Sequence, residues 1–300
     1  MGGVSFTGVL PVYKESGYTS NDVVARLRGI LHMKKIGHTG TLDPEATGVL
    51  PVCLGRATKL VGYLTDSDKV YRCTMRLGVT TDTEDMTGEI TGRTDTSHLT
   101  ADDVKAAILS FTGEYDQIPP MYSAKKVNGR KLYEIAREGA VIERRPSRVY
   151  IRGISDISVY EREGVLRADY TVECSKGTYI RSLCRDTGEK LGVGGAMEKL
   201  ERIRACGIEA ADCVTLDVIE EMMGDERGIE GLVIPIERFY SDCGSITAGE
   251  DEERLIRNGN RFRRKGLADG MYRVYLPDGT FAAVYETENG EAKLCRYFLE

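Results

Sequence analysis

The chain has 300 residues, 41% hydrophobic and 29% charged, with no Trp and a formal net charge of −6. This composition excludes a disordered or low-complexity chain, and the length suits one large domain, or one domain with a small appendage, around a real core. No apolar run approaches the ~20 residues needed to cross a bilayer, and MGGVSFTGVLPVYKESG has no basic segment followed by an apolar one, so a cytoplasmic protein without a secretory signal is expected.

In chain order, SNDVVARLRGILH (20–32) reads as a helix capped by Ser20 or Asn21, with Val23, Val24, Leu27, Ile30 and Leu31 on one face. A glycine-rich loop follows, GHTGTLDPEATG, then the apolar run Val49–Leu54. Residues 69–79 alternate like a strand, and TADDVKAAILSFTG reads as a helix capped by Thr100. RKLYEIAREG predicts a short helix closed by Gly139. RPSRVYIRGISDISVYEREG and VLRADYTVECSKGTYIRSL, rich in Val, Ile and Tyr, read as antiparallel strands. DTGEKLG and TLDVIEEMM look helical. Near the C-terminus, Asp278-Gly279 and Asn289-Gly290 are hairpin signals, each between strand-like residues. A boundary is expected around Ser241–Glu252, followed by a small β module.

Cysteine usage points away from metal. The eight cysteines are scattered singly with no CxxC, and His32, His38 and His98 stand at no ligand spacing from them. Neither a zinc site nor disulfides are expected, only small buried thiols.

Charge is unevenly placed. From Asp212 to Glu253 thirteen acids face only Arg227 and Arg238, a net −11, so the remaining chain carries +5. Lys125, Lys126, Arg130, Lys131, Arg137, Arg144, Arg145, Arg148 and Arg152 form one basic cluster, and Arg254, Arg257, Arg261, Arg263, Arg264 and Lys265 a second. One such cluster ordinarily means a solvated face; two of this density also suit a phosphate backbone.

The loop Gly37–Gly48 holds one carboxylate, Asp43, ahead of Pro44, which biases it to extended backbone. Its glycines allow tight turns and close approach of a ligand. Turn-forming residues alone would look the same, and the GxxxxGK[ST] order of a phosphate loop is missing. GHTGTLDPEATGVLPVCLGRATKL nevertheless resembles the signature of the bacterial tRNA pseudouridine synthase B (TruB) family. KVYRCTMRLGVTTDTEDMTGEI, QIPPMYSAKKVNGRKLYEIAREG and CSKGTYIRSLCRDTGEKLG resemble its later blocks, in the family's order, over roughly residues 8–206.

The resemblance implies an α+β pseudouridine synthase fold: a mixed, mostly antiparallel sheet flanked by helices, plus a small C-terminal PUA-like β module. It places a catalytic domain at 1–240, with an RNA-gripping insertion at about 120–152, and the PUA-like domain at 246–300. The implied reaction flips the uridine at position 55 of the tRNA T-arm out of its stack, detaches uracil at N1 and rejoins it through C5, without cofactor or metal. Asp43 would be the nucleophile or charge stabiliser and Arg181 its partner; Tyr71 would pack on uracil. Tyr179, Ile180 and Leu200 would line the pocket, and His38 would enter the T-loop. Without the resemblance, Arg181 reads as a strand residue facing solvent and Tyr71 as a half-buried strand aromatic.

Lys14 joins the substrate-binding set, although Lys14-Glu15-Ser16-Gly17 lacks the family's usual proline after the lysine, which should loosen that turn. Lys125, Lys126, Arg130, Lys131, Arg144, Arg145 and Arg148 fall in the insertion, and Arg261, Arg263 and Arg264 would meet the acceptor-stem side. A monomer without an obligate protein partner is expected. The alternatives are a catalytically vestigial tRNA-binding or tRNA-folding module, and a guide-RNA-dependent subunit.

Overall fold

The computed structural model describes residues 6–299 apart from 124, 128, 141 and 225–227; the side chains of Lys126, Lys131 and Arg137 also lie outside the described set. The first half runs β1 (Gly8–Lys14), α1 (Ser20–Ile30), β2 (Ile36–His38), β3 (Thr47–Leu54), α2 (Val61–Thr65), β4 (Lys69–Leu77), β5 (Val79–Thr81), β6 (Ile90–Arg93), α3 (Ala101–Leu109) and β7 (Gly113–Gln117). A small hairpin, β8 (Lys126–Val127) and β9 (Arg130–Lys131), and α4 (Leu132–Arg137) precede the long β10 (Ser147–Arg162) and β11 (Val165–Cys174). Then come α5 (Ile180–Lys190), β12 (Gly195–Ala205), β13 (Ile208–Glu209) and α6 (Leu216–Met223). The chain ends with β14 (Gly244–Thr247), α7 (Glu250–Arg257), β15 (Phe262–Arg263), β16 (Gly270–Tyr275), β17 (Phe281–Glu288) and β18 (Glu291–Tyr297).

The main sheet has the order β1-β3-β12-β4-β11-β10-β7, with β2 on β3 and β13 on β12. All its pairings are antiparallel except β3 with β12, which makes the sheet mixed. β3 explains why Thr47–Leu54 is a continuous apolar run. Leu50, Val52 and Leu54 pack with α1 and α6, while Val49 and Cys53 pack on the other side with Ile236, Tyr240, Val284 and Phe298. A strand covered on both faces has no use for alternation. On β4, Tyr71, Cys73 and Met75 share a core with Ile180, Leu183 and Cys184 of α5.

Three local expectations change or sharpen. Thr19, not Ser20 or Asn21, caps α1, through a reciprocal capping box with Asp22. Thr100 caps α3 as expected, by the same device with Asp103. Thr178–Leu183, read as strand, instead opens into α5, with Tyr179 as its N-cap. The tertiary reason is a close approach: a Cβ at Gly188 would lie 2.1 Å from the Gly194–Gly195 backbone. The helix therefore sits directly on the start of β12, and its apolar face outweighs local β-propensity.

The second sheet, β14-β16-β17-β18-β15, surrounds its own core of Ile246, Ile256, Phe262, Val274 and Tyr285. Asp278-Gly279 links β16 to β17, and Asn289-Gly290, both at positive φ, links β17 to β18. No described helix is long and apolar enough to cross a membrane.

Candidate active site

The loop between β2 and β3 is stapled from below. Leu42 and Ala46 are buried, and Ser20 Oγ accepts from Leu42 N at 2.9 Å. Ala46 N closes back on the Asp43 carbonyl at 3.1 Å. Asp43 is thus raised on a stiff bend between two buried neighbours, its side chain 35% exposed.

Lys14 supports the same bend. It was expected to touch substrate, but it is wholly buried, and its ammonium donates to the carbonyls of Glu15 (2.9 Å), Tyr18 (2.6 Å) and Pro44 (2.8 Å). All three protons are therefore committed to backbone, and burial lowers its pKa to about 8. The turn without proline is tied to the same loop: Gly17 N donates to Pro44 O at 3.0 Å and Ser16 Oγ to Glu45 at 2.6 Å.

Arg181 extends from the first turn of α5 to meet Asp43. Its Nε lies 2.9 Å from Oδ2 and its Nη2 3.0 Å from Oδ1, a two-pronged contact. The same guanidinium donates to Thr83 O at 3.1 Å and Tyr122 O at 2.8 Å, and Asp85 Oδ2 stands 3.8 Å from Nε. With a side chain only 5% exposed, it is a buried cation rather than the solvent-facing residue expected of a strand. Enclosure of the Asp43 carboxyl raises its pKa above the ordinary carboxylate value. Arg181 opposes that rise, and Asp85 adds to it as a like charge.

Tyr71, Tyr179 and Ile180 lie beside this pair. Tyr71 is 7% exposed and shares a core with Leu42 and Ile180, against which Leu200 packs. Burial raises the Tyr71 phenol, while the charge of Arg202 opposes that rise. His38 ends β2, and its Nδ1 accepts from Gly40 N at 3.3 Å. Burial, then the charge of Arg202, lowers its pKa.

Sequence reading missed four residues here. Gln117, buried on β7, forms a reciprocal pair with the Tyr179 backbone: its Oε1 accepts from Tyr179 N at 2.7 Å, and its Nε2 donates to Tyr179 O at 2.9 Å. It does the work of a cap for α5. Glu84, at φ +66, accepts from Ser182 Oγ at 2.7 Å and binds Arg185. Asp85 and Arg202 complete the set. The signal available was the cluster of acids in Asp82-Thr83-Glu84-Asp85, which only the fold brings against α5.

The expected basic residues divide by engagement. Arg144 donates to Pro119 O at 3.0 Å and stands 3.8 Å from Glu84, beside the Arg181 network. Arg148 pairs with Asp116 at 3.1 Å and with Glu114, Arg130 with Glu138, and Lys125 donates to Ser147. Arg264 is committed to Glu252 and to Thr247 O, while Arg263 is largely exposed and 3.9 Å from Glu291. Arg145 and Arg261 are exposed and make no ion pair among the described residues. The Lys126 and Lys131 side chains fall outside the described set.

The arrangement can hold one anionic oxygen pair against a flat apolar base, with a phenol alongside. Comparison with known proteins agrees with that capability. Residues 28–180 match the model of the TruB family pseudouridylate synthase N-terminal domain, and residues 181–240 that of the tRNA pseudouridylate synthase B C-terminal domain. A tRNA pseudouridine synthase B of Clostridium perfringens is 43% identical, covering 98% of this chain and 99% of its own. One of Listeria monocytogenes is 44% identical over 84% of this chain and 83% of its own. Among solved structures, a chain of a Cbf5–Nop10–Gar1 complex superposes with a TM-score of 0.71 at 25% identity, over 98% of this chain and 85% of that one.

Proposed function

The chain belongs to the TruB family of pseudouridylate synthases, and on that premise we propose that it isomerises uridine to pseudouridine in tRNA, at position 55 of the T-arm. The reaction breaks the N1–C1′ bond, turns the uracil, forms C5–C1′ and releases the C5 proton; atoms balance without an external reagent. Asp43 is the carboxylate that engages the separating base and sugar, and Arg181 keeps it ionised and oriented. Tyr71 offers a ring face and a phenol to uracil, with Ile180 and Leu200 as apolar walls and Tyr179 at the rim. His38, at the mouth of the loop, is suited to entering the space left by the flipped base.

The observation that carries this reading is the two-pronged Asp43–Arg181 contact, at 2.9 and 3.0 Å, on a loop stapled from below. Residues 1–240 form the catalytic domain on this reading, with the insertion at about 120–152 gripping RNA. Residues 246–300 form a PUA-like RNA-binding domain, whose sheet opens at Gly244. Lys125, Lys126, Arg130, Lys131, Arg144, Arg145, Arg148, Arg261, Arg263 and Arg264 are the proposed phosphate contacts, and the protein works in the cytoplasm as a monomer.

Tritium release from C5-labelled, unmodified tRNA transcript tests the proposal. Wild type is expected to release label and Asp43→Asn to release none, with tRNA binding retained. Release by neither protein would support a vestigial or guide-dependent one.

A further inference from the structure

Arg202 is the largest wholly buried side chain among the described residues, 1% exposed, yet no carboxylate pairs with it there. An isolated guanidinium taken out of water is costly unless its protons are placed. Here they are placed on the catalytic loop. Nε donates to Val49 O at 2.7 Å and Nη2 to Gly40 O at 3.1 Å, so one planar group joins the two ends of the segment that carries Asp43.

The backbone brings it there by force of packing. β12 runs parallel to β3 with Arg202 opposite Gly48, and a Cβ at Gly48 would lie 2.2 Å from Arg202 O. On its other side Arg202 stands directly opposite Tyr71 in the antiparallel β4–β12 register, which makes the two side chains cross-strand neighbours on one face.

We propose that Arg202 is a positioning residue for this reaction: it fixes the Asp43 loop and the Tyr71 phenol relative to one another through a single buried guanidinium. The inference rests on the isomerase reading above. Its planar fork matters as well as its charge, because Nε and Nη2, two separate nitrogens held in one plane, reach Val49 O and Gly40 O, whereas a lysine carries a single nitrogen. Its charge also draws the phenol pKa down against the upward push of burial.

The test is a double-mutant cycle on the full chain, with Arg202→Gln and Arg202→Lys each made alone and with Tyr71→Phe. Single-turnover tritium release, tRNA Kd and thermal midpoint are measured for each. Arg202→Gln is expected to slow release by about tenfold or more while Kd moves by less than about threefold. The lysine should recover only part of the rate. In the Tyr71→Phe background the same substitution should cost several-fold less, because the group it orients is gone. The alkaline limb of the pH–rate profile should move upward in Arg202→Gln. Equal penalties in both backgrounds, or a loss confined to Kd or to the thermal midpoint, would overturn the proposal. Should Arg202→Gln fail to fold, the cycle with Arg202→Lys decides by the same criterion. Absence of release by wild type would instead sink the isomerase reading, so the two failures are distinct.

Discussion

Asp43 is held between opposing influences. Enclosure and the Asp85 carboxylate raise its pKa; Arg181 and Lys14 lower it, and the net direction is upward. A raised carboxylate pKa places the loss of the active anion above the ordinary Asp value, so the acid limb of kcat/KM is expected above about pH 4. In that same window the folded state binds more protons than the unfolded one. This group therefore gains stability as pH falls, and the activity loss is not unfolding. Asp85→Asn removes the like charge, so its acid limb should lie lower than that of wild type. A limb unchanged or moved upward would show that Asp85 does not act on Asp43 through charge. At this scale the sequence revealed the candidate residues Asp43, Tyr71 and Arg181 through their blocks, but not their supports. Gln117, Asp85 and Arg202 are ordinary residues of strands and turns until the sheet brings them within reach.

At the scale of elements, the central feature is the contact between β3 and β12, the one parallel pairing of the main sheet. Gly48 sits there at φ +106 with no space for a Cβ. Gly48→Ala should destabilise the protein by about 3 kcal/mol or more, because backbone atoms cannot yield as a flexible side chain would. Gly62, inside α2 with nothing within 4 Å of the place a methyl would take, is the control. Gly62→Ala should stabilise by about 0.5–1 kcal/mol through helix propensity alone. Thermal or urea unfolding of the two variants checks both, and equal effects would discount the close approach. The Thr100 cap and the hairpin dipeptides were legible because they act over four residues, although the α1 cap lies one residue before the place read for it. The start of α5 was not: Thr178–Leu183 has strand-like residues, and only its docking on β12 and the Gln117 cap make it a helix.

For the whole molecule, RNA affinity depends on which cations are free. Arg264 is spent on Glu252, whereas Arg145 is exposed and unpaired among the described residues. Arg145→Ala is therefore expected to flatten the plot of log Kd for tRNA against log salt by about one unit. Arg264→Ala should flatten it less, because Glu252 already neutralises part of that charge, while loosening the join between α7 and β15. Equal slopes for Arg145→Ala and wild type would remove Arg145 from the RNA path. Clustering of like charges along the chain thus marked two basic regions without telling which residues neutralise one another. That depends on partners such as Asp116 and Glu252, supplied by neighbouring elements.

The sequence by itself determined the family, the loop that presents Asp43, the positions of Tyr71 and Arg181, and the hairpins of the terminal sheet. Each of these is encoded in a short run of residues whose chemistry is local. The tertiary structure alone decided that Lys14 is a buried support rather than a substrate contact, and that Arg181 projects from a helix. It alone showed that Arg202 joins Gly40 to Val49 across the Asp43 loop. Burial and hydrogen-bond partnership belong to pairs of residues far apart in the chain, such as Arg202 and Gly40, 162 positions apart, and only the folded sheet creates those pairs.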